Sequence, residues 1–80
     1  MLFSAATENG MRIVTFEVRR DDKAGVWYAS STSDMGIVTE AATIEALRER
    51  LKLLVPDFLE TDEELRLDLD IKVSDIVQAA

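Results

Sequence analysis

Eighty residues, 48% of them hydrophobic and 31% charged, suit one globular domain whose thin core buries about 60% of the unfolded surface. With no cysteine and no histidine, disulfides, thiolate nucleophiles, thiolate-bound zinc and imidazole acid–base chemistry are all excluded. A net charge of −7 and a pI near 4.4 argue against unaided nucleic-acid binding and favour a basic protein partner.

The charge is uneven. Residues 1–42 hold four Lys/Arg against six Asp/Glu, and residues 43–80 hold five against ten, so the second half contributes −5 of the −7. No apolar run approaches the roughly 20 residues of a spanning helix. Met1–Gly10 lacks the basic start and apolar stretch of a signal peptide, so a cytoplasmic location away from membranes is expected.

Residues 1–10 show no sustained periodicity and close on Glu-Asn-Gly, a turn signal. They read as a flexible N-terminal arm before a single α+β domain spanning 11–80. From Met11 to Arg20, Val14, Phe16 and Val18 alternate with Thr15, Glu17 and Arg19, the period of a strand with one face on a core. Asp21-Asp22-Lys23-Ala24-Gly25 is a hairpin loop whose final glycine can take a positive φ, and Asp21 and Asp22 read as turn formers rather than ligands. A second strand follows from Val26 to about Ser31, then a turn over Thr32–Gly36 and a short β-branched strand, Ile37–Ala41.

Thr43 is placed to cap a helix, with Glu45 in its first turn. Ile44, Leu47, Leu51, Leu54 and Phe58 form one apolar stripe, too short for a coiled-coil seam and suited to packing on the sheet. Pro56 is expected to end or kink the regular helix near Leu54, with at most one more turn through Leu59. After the acidic loop Glu60–Glu64, Leu65, Leu67, Leu69, Ile71 and Val73 alternate strictly with Arg66, Asp68, Asp70, Lys72 and Ser74, the clearest strand signal in the chain. The resulting order is β-β-β-α-β, with the helix on one face of the sheet and the last strand parallel to a neighbour. Asp75–Ala80 reads as a tail.

No nucleophile stands in a recognisable catalytic frame, and neither a catalytic residue nor a cofactor is expected. Asp68 and Asp70 leave the same strand face and form the best acidic pair for a divalent cation; Arg66 and Lys72 share that face and can neutralise them, which makes an ordinary solvent-facing strand the preferred reading. Trp27 and Tyr28 are adjacent on a strand, so their rings point to opposite faces and one stays partly exposed, as a contact anchor or as a shield for the sheet.

The segments Phe16–Ser30, Asp34–Ala41 and Thr43–Leu47 resemble a small bacterial domain of uncharacterised function similar to HicB-like antitoxins. The resemblance spans about residues 11–75 and departs from the pattern at Met35-Gly36, where such proteins often carry Pro-Gly. It implies a partial RNase H-like fold of the same β-β-β-α-β order. It also implies a non-catalytic protein-binding role, in which the domain neutralises a small basic RNA-cleaving toxin of the HicA type. The chain ends without a helix-turn-helix or ribbon-helix-helix segment, so operator binding is not expected. The side chains expected to meet a partner are Trp27, Tyr28, Asp34, Glu63, Glu64, Asp68 and Asp70, and a homodimer is expected for so small a domain. The alternative is a stand-alone homo-oligomeric domain that binds a small ligand or serves a structural role.

Overall fold

The computed structural model describes residues 6–8, 11–33 and 35–79. Its elements are β1 (Ala6–Glu8), β2 (Met11–Asp21), β3 (Val26–Ser31), β4 (Val38–Ala41), α1 (Ile44–Leu59) and β5 (Leu65–Ile71). The expected order runs from β2 to β5. The arm expected over residues 1–10 is corrected in part, because β1 pairs antiparallel with the start of β2, Ala6 opposite Ile13 and Glu8 opposite Met11. Three residues are too few for alternation to show; Asn9-Gly10, a hairpin-turn signal as a dipeptide, lies outside the described residues.

β2 is the axis of the sheet. β3 runs antiparallel along its second half, with Phe16 opposite Ser31 and Asp21 opposite Val26, and β4 pairs antiparallel with β3. On the other edge of β2, β5 runs parallel, from Arg12 beside Leu65 to Val18 beside Ile71. The β2–β3 loop is built by Asp21. Its carboxylate accepts the backbone N–H groups of Lys23 and Ala24 at 3.1 and 3.2 Å, and its carbonyl accepts that of Gly25 at 2.8 Å. Gly25 closes the loop at φ 70°, a conformation a Cβ would strain.

Alternation along the strands decides the core. Val14, Phe16 and Val18 of β2 and Ala29 of β3 point to one side, where they bury against Leu47, Leu51 and Val55 of α1, with Ile37 and Ala41 at the margin. Each such aliphatic or aromatic side chain contributes about 1.5–3 kcal/mol by leaving water. The Thr43 hydroxyl caps α1 as expected, accepting the Ala46 N–H at 3.0 Å. The helix continues past Pro56 to Leu59, the longer of the two expected outcomes, and stops where Glu60 turns left-handed. The stripe needs one correction: Val55 is buried, whereas Phe58 is half exposed, one turn beyond the last buried side chain. The helix outruns the surface it packs on.

The packing is also lopsided. α1 sits over β3 and β4, and leaves Leu65, Leu67 and Leu69 of β5 only partly covered. The last strand ends at Ile71, two residues before the end of its alternating pattern, and residues 72–79 form no regular element.

Candidate functional site

Three surfaces carry the chemistry this chain can offer: the sheet face turned away from α1, the end of α1 with its acidic loop, and the groove between α1 and β5. On the first, β2 presents Ile13, Thr15, Glu17 and Arg19, and no described element packs there. Tyr28 stands beside Arg19 and Glu40 beside Tyr28, making a row across three strands. Asp70 stands beside Glu17 and Asp68 beside Thr15. Basic groups interrupt this acidity. Arg19 lies 3.6 Å from Glu17, and Arg66 lies 3.1 Å from Asp68. The face is therefore mixed in charge rather than uniformly acidic.

The residues expected to meet a partner do not converge. Tyr28, Asp68 and Asp70 share the open face, and the Tyr28 ring is 37% exposed. Trp27 points the other way, packs at the border of the core, and carries the Arg20 guanidinium 5.4 Å above its ring, a cation–π contact. Its neighbour Tyr28 is thus the exposed member of the pair. Glu63 and Glu64 are exposed in the loop before β5, and Asp34 lies outside the described residues. Among the described residues, no group of three or more carboxylates is arranged to hold a metal ion. The Arg66–Asp68 pair follows the preferred reading of that strand.

The second surface is only half legible in the sequence. Asp57, Glu60, Asp62, Glu63 and Glu64 are all exposed around the C-terminus of α1, and Pro56, Asp57, Glu60, Thr61 and Asp62 line a shallow concavity there. The last turn of α1 has no basic residue, so this negative charge meets the negative end of the helix dipole. Phe58 stands in that turn, half exposed, although its spacing assigns it to the core. The signal that places it further out is Pro56, two residues before it, which marks the margin of the packed helix.

The third surface is a groove of about 340 Å³ with a floor of Leu65, Leu67 and Leu69 and a rim of Arg48 and Lys52. Periodicity shows these leucines facing the helix but cannot show that the helix sits to one side. Lys52 also donates to Glu49 Oε2 at 2.8 Å. That hydrogen bond, and then the charge of Lys52, hold the Glu49 carboxyl below its ordinary value, against a small opposing effect of desolvation and with a still smaller push from Arg48. Among the described residues, no helix is long and apolar enough to cross a membrane.

Comparison with solved structures finds a similar chain, the hypothetical protein TTHA1013 from the extremely thermophilic bacterium Thermus thermophilus. It is 34% identical, with a TM-score of 0.58, and the match covers 85% of this chain and 100% of that one. Among curated proteins there is no match. The family model described as a domain of unknown function, DUF1902, matches residues 13–78, and the chain belongs to that family.

Proposed function

We propose that this domain is a non-catalytic protein-binding module of the HicB-like antitoxin kind, which acts in the cytoplasm by binding and neutralising a small basic RNA-cleaving toxin. One observation carries this reading: Asp57, Glu60, Asp62, Glu63 and Glu64 crowd the negative end of α1 with no basic residue in its last turn. Such an arrangement is locally unfavourable for the helix, by about 0.3–1 kcal/mol per charge at most, so folding stability does not account for it. A cationic partner would relieve it, and the field would also speed the encounter. Phe58 beside this cluster supplies the apolar anchor that charge alone lacks. The order β2-β3-β4-α1-β5 supports the reading as well, being the order a partial RNase H-like domain of this kind has.

The test is co-expression with the product of the adjacent reading frame, followed by purification through a tag on one partner. The expected result is co-elution that weakens as salt rises, with rescue of growth from the partner's toxicity. Replacing Glu60, Asp62 and Glu63 together by Gln should abolish co-elution, and Phe58→Ala should weaken it. If the wild-type chain elutes without the partner and leaves growth unchanged, the antitoxin reading fails.

A further inference from the structure

We propose that two copies of this chain join through the outer edges of β5, antiparallel about a two-fold axis beside Asp68. This pairing does not depend on the basic-partner reading.

The backbone supplies the first argument. Among the described residues, β5 bonds only to β2, and the Lys72 N–H donates to the Val18 carbonyl at 3.2 Å. In a parallel pair, a residue turns its N–H and C=O to the same side, so the even-numbered residues of β5 face β2. Leu65, Leu67, Leu69 and Ile71 therefore turn theirs outward, along an edge with no proline and no glycine to blunt it.

Burial supplies the second. The side chains of Leu65, Leu67 and Leu69 are half covered on the groove floor, and Ile71 is 40% exposed. Beyond them, Val73, Ile76 and Val77 are exposed at 62%, 102% and 85%. This run of apolar surface follows a single strand edge and its extension, the pattern of a surface that adds a strand.

Charge then selects both occupant and register. In the register that sets Asp68 opposite its own copy, Arg66 faces the partner's Asp70 and Lys72 faces the partner's Glu64, each twice by symmetry. The one like-charged contact, Asp68 with Asp68, has an Arg66 on the same strand already bound to it at 3.1 Å. Centring the axis on Leu69 instead would set Asp68 against Asp70 and Arg66 against Lys72, all repulsive. Centring it on Leu67 would set Glu64 against Asp70 and would offer in return, within β5, only Arg66 against Asp68, which the Arg66 of the same strand already holds. In this register a second copy of the strand complements its own Arg-x-Asp-x-Asp-x-Lys order. The same register carries the tail beyond Ile71 past the start of the partner's β5, where Lys52, Pro56, Glu63, Leu65 and Leu67 line the end of the groove.

The test uses the absence of cysteine. Asp68 faces its copy as a non-hydrogen-bonded pair, whose Cα atoms lie about 4.5 Å apart, within the range of a disulfide. Light scattering on the wild-type chain should give the mass of two copies. Under mild oxidation the folded Asp68→Cys variant should form an interchain disulfide, and Asp70→Cys, whose copies lie four residues apart along the strands, should form none. Arg66→Asp should weaken the dimer, and adding Asp70→Arg to it should restore it. Circular dichroism checks that each variant is folded. A monomeric wild-type chain overturns the proposal and leaves the groove to a partner of other chemistry. Equal cross-linking at positions 68 and 70 overturns it too.

Discussion

Arg66 grips Asp68 from two positions along the same strand, its Nε 3.1 Å from one carboxylate oxygen and its Nη2 3.1 Å from the other. The fork–fork geometry engages both oxygens, so a cation would have to displace the guanidinium before Asp68 could serve as a ligand. Millimolar magnesium or manganese should therefore leave the melting temperature unchanged, since a ligand that binds only the folded state would raise it. Asp68→Asn should cost less than about 1 kcal/mol, as expected for an ion pair in contact with solvent. A metal-dependent rise in melting temperature that disappears in Asp68→Asn is the result that would revive a metal site.

The two ends of the helical stripe should respond differently to truncation. Leu51 is fully buried against the sheet, and Leu51→Ala should cost about 2–5 kcal/mol through lost transfer energy and a residual cavity. Phe58, the larger side chain, is 51% exposed, and Phe58→Ala should cost less than about 1 kcal/mol. Urea unfolding of the two variants gives the comparison. An equal or larger loss at Phe58 would mean that the helix packs through the stripe's far end.

The difference between these two positions also shows where sequence reading stops. Strict alternation at Val14, Phe16 and Val18, and again from Leu65 to Ile71, reports which side of a strand faces apolar matter, and both strands form with that face inward or on the groove. The Thr43 cap and the positive φ of Gly25 are legible because each is a local requirement of the backbone. Periodicity says nothing about lateral placement. The displacement of α1 toward β3 and β4, which uncovers the leucines of β5, depends on how the whole sheet is assembled. The separation of Trp27 from Tyr28 is readable from adjacency alone. Which of the two faces the helix depends on the register of β3 against β2, where Trp27 falls beside Arg20. The acidic character of the second half is plain in the sequence, but its concentration at the end of α1 requires the helix to continue past Pro56.

Glu49 gives a prediction in pH. Its carboxyl is held below the ordinary value by the hydrogen bond and charge of Lys52, so the folded state favours the ionised form more than the unfolded state does. The pair's contribution is present above the unfolded-state pKa and is lost as pH falls through the lower, folded-state pKa. Both side chains are exposed, so salt should screen the effect. Carboxyl-carbon NMR titration should show Glu49 titrating low in the wild-type chain, and higher in Lys52→Ala or in concentrated salt. An unchanged Glu49 titration in Lys52→Ala would mean that the contact does not persist in solution.

Glu60 ends α1 with φ 54° and ψ 48°, a left-handed conformation that favours glycine and costs other residues about 1 kcal/mol. The geometry is fixed by the termination itself: the Glu60 N–H donates to the Asp57 carbonyl at 3.2 Å, and the Thr61 N–H donates to the Pro56 carbonyl at 3.1 Å. Glu60→Gly should keep both bonds, relieve the backbone and remove a negative charge from the negative end of the dipole. The expected gain is about 1 kcal/mol, read as a melting temperature higher by roughly 4–8 °C for a domain of this size. Glu60→Ala separates the contributions, because it removes the charge without relieving the backbone, and should gain less than Glu60→Gly. Both variants should bind a basic partner more weakly, since both delete the same carboxylate. A strained, repelled glutamate that could be stabilised by a single glycine fits a position kept for binding rather than for folding. If Glu60→Gly stabilises the domain and leaves partner affinity intact, the acidic end of α1 is not the contact, and the open face around Tyr28 becomes the surface to mutate next.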